Sequence, residues 1–206
     1  MKNPLRYQIS EYDCGPTSLL NAVSYLFERE EISPVIIRNI MLYCLDEYNV
    51  EGVMGKKGTS GAAMQYLSYW LNGFGKTGQL PVSSRYISGS EVYFGENSAL
   101  NDTLRRGGVA VLRILLSAGH YVLLTGLEGG NVRLFDPYLR LDDYPEPCVH
   151  KILDHPTEYN RIIPVSQFNL AQSGNYILGP EEDREAVLLF NTQTMLTQEE
   201  TGEYVI

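Results

Sequence analysis

The sequence predicts an α+β domain in which N-terminal helices pack on a C-terminal antiparallel sheet. Three observations carry this. Up to about residue 107, apolar residues recur mostly at three- and four-residue steps, the period of a helix with one buried face. Beyond it, short runs of aliphatic and aromatic residues alternate with turn chemistry. Between two such runs stands Glu128-Gly129-Gly130-Asn131, a tight hairpin connection that makes the neighbouring strands antiparallel. With 206 residues, 44% hydrophobic and 20% charged, the chain can bury one core without disulfide staples.

Taken in order, Thr17 to Glu31 lays Leu19, Leu20, Val23, Leu26 and Phe27 along one helical stripe, with Pro16 fitting the first turn. Ser33-Pro34 opens a second helix through Val35, Ile36 and Ile40 to about Leu45. The glycine-rich stretch Gly52 to Gly61 reads as a loop. A third helix follows, capped by Thr59 or Ser60 and ending near Gly73, and a short fourth runs from Ser98 to Arg106. Strands are expected at Val109–Leu115, Tyr121–Leu127, Val132–Phe135, Arg161–Val165, Tyr176–Leu178 and Ala186–Phe190. Residues 1–191 then form a single domain, and 192–206 a polar, acidic tail at the surface.

Sixteen Lys plus Arg against 25 Asp plus Glu give a net charge of −9, which argues against nucleic acid or an anionic membrane as partner. The N-terminus lacks the apolar core of a secretion signal, and no apolar run is long enough for a spanning helix. Cys14, Cys44 and Cys148 are too few and scattered for a disulfide scaffold or a zinc site. A cytoplasmic protein without metal or cofactor is expected.

Cys14 stands where a helix begins, in Asp13-Cys14-Gly15-Pro16-Thr17. Orphan N–H groups and the helix dipole there favour a thiolate, while the adjacent Asp13 opposes it unless its carboxylate faces solvent or caps the helix. Gly15 leaves the thiol uncrowded. A nucleophile needs a base and a group to orient that base. His120 lies directly before one strand and Asp136 directly after its hairpin partner, so antiparallel pairing makes them cross-strand neighbours. The bland reading is a small buried cysteine, as adopted for Cys44, a satisfied polar histidine and an Asp-Pro turn. Read together, the three residues form a Cys–His–Asp constellation.

Gln8…Asp13-Cys14-Gly15-Pro16-Thr17-Ser18, then Gly119-His120-Tyr121-Val122, then Phe135-Asp136-Pro137 resemble the C39-like cysteine peptidase family of the papain-like superfamily. The better-known members are domains of exporters that cut leader peptides after a double glycine; this chain resembles a stand-alone member without transporter segments. The resemblance implies a papain-like cysteine protease fold and a hydrolase acting on a peptide or small acyl substrate. It makes Cys14 the nucleophile, His120 the base and Asp136 the orienting carboxylate. It also makes Gln8 the side-chain donor of the oxyanion hole, beside the Cys14 N–H. The local Cys-Gly-Ser/Ala-Cys-Trp/Tyr signature of papain itself is absent. The same machinery serves an acyltransferase, and a relic of the fold could be an inactive binding protein.

Other motifs are thinner. Gly52 to Thr59 lacks phosphate-loop spacing and is expected to border the cleft, where Lys56 and Lys57 could meet an acidic group unless they point away. His150, Asp154 and His155 do not build a ligand set. Among 15 tyrosines, Tyr12 and Tyr121 are the first choices for cleft walls. Glu11, Asp13 and Asp136 near the motifs favour a neutral or basic substrate. Oligomeric state is not legible in the sequence.

Overall fold

The computed structural model describes residues 1–140, 142, 145–170 and 174–202. Helices α1 (Cys14–Leu26), α2 (Pro34–Tyr43) and α3 (Gly61–Lys76) come first, then strand β1 (Val82–Ser88) and helix α4 (Ala99–Arg105). Strands β2 (Val109–Leu116), β3 (Ala118–Glu128), β4 (Asn131–Phe135), β5 (His150–Lys151) and β6 (Arg161–Pro164) follow. The short helix α5 (Val165–Phe168), strand β7 (Glu185–Asn191) and helix α6 (Gln198–Gly202) close the described chain. All seven strands join one antiparallel sheet in the order β1-β7-β2-β3-β4-β6-β5. The α+β arrangement is therefore the expected one.

The sheet separates two cores. On one face Leu19 and Val23 of α1, Ile36 and Ile40 of α2, and Met64, Leu67 and Leu71 of α3 pack with Val109, Val111, Leu123 and Val187. On the other, Leu100 and Leu104 of α4 meet Ala110, Leu112, Ile114, Val122 and Leu124. Coverage of both faces explains why β2 reads as a continuous aliphatic run rather than an alternating one. In the hairpin between β3 and β4, Glu128 pairs with Asn131, and Gly129 and Gly130 have φ of 56° and 77°. Two left-handed residues in a two-residue connection are what makes the pair of glycines necessary.

Several expectations are corrected. The helical half contains a strand, β1, which the periodicity conceals because one inward position is a serine. Ser84 is buried and its hydroxyl lies 2.8 Å from that of Ser68 on α3, a polar pair in place of an aliphatic one. Helix α3 does not stop at Gly73 but runs to Lys76. Gly75 is there because β1 crosses over it: a β-carbon would stand 1.8 Å from the Val82 carbonyl oxygen. The expected strand at 176–178 reduces to a single bridge between Ile177 and Leu115, and Val165 begins α5 rather than ending a strand. Of the expected tail, residues 203–206 lie outside the described residues. The rest turns back along the body, where the Thr192 N–H meets the Pro81 carbonyl and the Leu196 N–H meets that of Arg106.

Candidate active site

Helix α1 begins at Cys14 itself. The first N–H groups of a helix have no intrahelical acceptor, and Pro16 contributes none, so the Cys14 and Gly15 amides are free of the helix ladder. Asp13 neither points to solvent nor caps this end. It is buried and turned back onto the preceding loop, accepting from the Ile9 N–H (2.9 Å), the Ser10 N–H (2.7 Å) and the Ser10 hydroxyl (2.6 Å). Burial pushes its carboxyl up, but these hydrogen bonds hold it below the usual range. Asp13 thus shapes residues 9–13 instead of facing the thiol.

Two contacts set the height of α1. The Ser18 hydroxyl, fully buried, donates to the Tyr121 carbonyl (3.0 Å), tying the helix to β3 one residue beyond His120. Gly15 lies under Thr59, whose Oγ1 would be 2.4 Å from any β-carbon there. The glycine therefore admits the 58–60 loop; leaving the thiol uncrowded is the lesser part of its role.

His120 lies within β3, which starts at Ala118, and pairs with Ile114 of β2. On the other side Leu123 pairs with Phe135, and the same antiparallel register carried one step further sets Val122 opposite Asp136. His120 and Val122 share a face of β3, so Asp136 is the diagonal neighbour of His120 on that face. The His120 Nε2 lies 2.8 Å from Asp136 Oδ1. His120 also interacts with Cys14, which joins the third member to the pair. The edge of the Tyr138 ring meets the imidazole, with centroids 6.5 Å apart at 84°.

Asp136 is fully buried and is held by residues the sequence did not suggest. The Asn160 amide grips its backbone from both sides, accepting from the Asp136 N–H (2.7 Å) and donating to the Asp136 carbonyl (2.8 Å). The Tyr138 N–H donates to Oδ1 (2.8 Å), and the Tyr176 hydroxyl donates to Oδ2 (2.5 Å). Burial alone would raise this carboxyl; His120, Tyr176 and the Tyr138 N–H keep it below its ordinary value. Burial likewise pulls the His120 imidazole down, but Asp136 foremost, and then Cys14, raise it to about 10. The pair is an imidazolium–carboxylate at neutral pH. No pattern in the sequence links Asn160 or Tyr176 to Asp136, 24 and 40 residues away.

Cys14 lines a pocket of about 450 Å³ together with Tyr12, Tyr121, Thr59, Arg113 and Gly119. Glu11, Glu47, Lys57 and Asp183 give it a charged rim. Lys57 does not point away from the cleft, but it is paired with Glu47 at 3.0 Å. Two of the lining residues are tied to a buried carboxylate: Glu185 accepts from the Tyr121 hydroxyl (2.5 Å) and from the Tyr86 hydroxyl (2.7 Å), with Arg113 at 3.8 Å. Gln8 does not line this pocket. Its side-chain N–H donates to the Ser10 carbonyl (2.7 Å), while its Oε1 is buried without a partner. Its backbone N–H donates to the Pro137 carbonyl (2.9 Å), one residue from Asp136.

The remaining candidates stand apart. Cys44 is buried, and burial followed by the Asp46 charge pushes its thiol well up, so it is a core residue. Cys148 is half-buried beside Gln167, and all three cysteines are unbridged. His155 stacks on Tyr159 and bonds Asp154 at 2.9 Å. Among the described residues no three His, Cys, Asp or Glu converge on a metal position. No helix among them is long and apolar enough to cross a membrane.

What the fold and site define is an α+β domain that brings a helix-terminal cysteine against a buried histidine–aspartate pair. No family model matches the chain, and no curated protein matches it. Among solved structures it is similar to a double-glycine-motif protease from an AMS/PCAT transporter, crystallised with the leader peptide. That likeness has a TM-score of 0.44 at 13% identity and covers 91% of this chain and 89% of that one. It is also similar to the peptidase domain of Streptococcus ComA, a bifunctional ABC transporter of a quorum-sensing pathway (TM-score 0.44, 14% identity, 91% and 97% covered). The peptidase domain of Streptococcus mutans ComA matches at a TM-score of 0.40 and 14% identity, with 91% and 98% covered.

Proposed function

We propose that the protein is a thiol hydrolase that cleaves a peptide or amide bond through an acyl-enzyme on Cys14. The observation that supports it best is the buried His120–Asp136 pair at 2.8 Å, whose imidazole Cys14 helps to raise, with Cys14 itself on the wall of an accessible pocket. His120 holds the proton that Cys14 gives up. The thiolate attacks the carbonyl carbon, forming a C–S bond, and the oxyanion is met by the Cys14 N–H at the end of α1. Gln8 is the second donor in this reading, which requires its side chain, now bonded to the Ser10 carbonyl outside the pocket, to turn toward the oxyanion. The C–N bond then breaks as His120 passes its proton to the leaving amine. Water attacks the thioester, returning its proton through His120. The polar, charged lining of the pocket favours water as the acceptor over the dry cleft that acyl transfer to an amine requires.

The test is alkylation of Cys14 by iodoacetamide at mildly acidic pH, read by mass spectrometry. An unactivated thiol, ordinarily of pKa about 8.5, reacts slowly there. Rapid labelling of Cys14 that is lost in His120→Ala is the expected result. Equal, slow labelling of both proteins overturns the assignment and leaves a binding protein as the reading.

A further inference from the structure

Tyr176 combines a left-handed backbone with a fully buried ring. Its backbone has φ of 58°, a left-handed conformation that is an outlier for a bulky side chain. Only Ser117 shares a positive φ among the described non-glycine residues. Such strain persists where the surroundings over-determine it. Here they do: the Tyr176 N–H donates to the Leu115 carbonyl (2.8 Å), and the Leu115 N–H donates back to Ile177 (2.9 Å). The Leu178 N–H meets the Phe168 carbonyl (3.0 Å), and the preceding residue, Asn175, is held by Gln167 and by both oxygens of Glu146. A glycine would relieve the strain and leave these backbone bonds in place. What it could not supply is the ring, fully buried, whose hydroxyl ends on Asp136.

We propose that Tyr176 is a positioning residue for the Cys14–His120–Asp136 site: its hydroxyl fixes the plane of the Asp136 carboxylate and keeps it ionised so that Oδ1 faces His120. The two oxygens divide the work. Oδ1 takes the imidazole and the Tyr138 N–H, and Oδ2 takes the phenol. A carboxylate gripped at one oxygen only can rotate about its Cβ–Cγ bond, and it then offers His120 no fixed acceptor. The strained backbone is what aims the phenol at Oδ2 from the α4 side of the sheet, where the ring is packed. The inference rests on the proposed enzyme reading for its purpose but not for its geometry.

The test separates the two. In full-length protein carrying 13C-labelled aspartate, the Asp136 carboxyl carbon is titrated by NMR from pH 7 to pH 3, in the parent and in Tyr176→Phe. Loss of one hydrogen bond to a buried carboxylate is expected to raise its midpoint by about one pH unit. Labelling of Cys14 by iodoacetamide is expected to slow by about tenfold in the same variant, one pH unit's worth of free energy. A folded Tyr176→Phe with an unmoved Asp136 titration overturns the proposal, because a merely structural ring predicts that result. Should the variant not fold, the parent protein decides: a tyrosine hydroxyl proton downfield of the amide region, coupled to Asp136, is required, and its absence refutes the contact. If Asp136 shifts in Tyr176→Phe while parent Cys14 labels no faster than His120→Ala, Tyr176 is upheld and the enzyme reading fails.

Discussion

Asn160→Ala tests the architecture of the site without touching its reacting atoms. The Asn160 amide accepts from the Asp136 N–H and donates to the Asp136 carbonyl, at 2.7 and 2.8 Å, and both residues are buried. The alanine removes both partners at once and leaves two buried backbone groups without them. Each such group costs about 1–3 kcal/mol, so the two together cost at most about 6 kcal/mol, and about 2–4 kcal/mol where water enters the gap. Urea unfolding followed by tryptophan fluorescence reads this directly. With a slope of about 3 kcal/mol/M, the midpoint falls by about 1 M at unchanged slope. Asn160→Asp sharpens the argument: it keeps an acceptor for the N–H but turns a carboxylate oxygen toward the carbonyl, and it should be no more stable than the alanine at neutral pH. A midpoint for Asn160→Ala within about 0.3 M of the parent, under the same slope, would refute the claim that Asn160 holds Asp136.

Two further outcomes follow from other parts of the structure. Gly73 and Gly75 both lie in α3, but a β-carbon at Gly73 meets nothing within 4 Å whereas one at Gly75 meets the Val82 carbonyl oxygen. Gly73→Ala should raise the melting temperature, gaining up to about 1 kcal/mol of helix propensity, and Gly75→Ala should lower it; the same sign for both would contradict the packing of β1 on α3. The His120–Asp136 pair makes stability pH-dependent with a definite sign. His120 is raised in the folded protein, so its contribution is fully present below its unfolded pKa of about 6.5 and is lost as pH climbs toward about 10. Asp136 is lowered, so its contribution holds above about pH 3.9 and disappears on further acidification. Unfolding free energies at intervals from pH 5 to pH 10 should decline over the alkaline half in the parent and decline less in His120→Ala.

Much of this was legible in the sequence, and the reasons for the rest are physical. The α1 stripe, the double-glycine hairpin and the aliphatic β2 declare themselves because burial there is apolar and turn geometry demands glycine. The approach of His120 to Asp136 follows from strand arithmetic once the hairpin is fixed. What stayed hidden depends on contacts between distant segments. Ser84 looks like a solvent position until Ser68 is placed over it, and the third helix looks finished at Gly73 until β1 is seen to cross Gly75. Asn160 and Tyr176 are ordinary polar residues in the chain; their meaning appears only when the fold delivers them to Asp136. Asp13 carries a further lesson, since its charge beside the thiol reads as an obstacle until the loop at 9–10 absorbs it.

The place of β7 in the sheet has a consequence for the order in which the molecule can be built. The last strand of the chain is inserted between β1 and β2, pairing with Val82–Ser88 on one side and Val109–Leu112 on the other. Until it has left the ribosome, β1 has no sheet to join, and α3 lacks β1, the strand it packs on. Glu185, the first residue of β7, also supplies the acceptor for Tyr121 and Tyr86. A growing chain would therefore carry Cys14 without a finished cleft around it until β7 has been made.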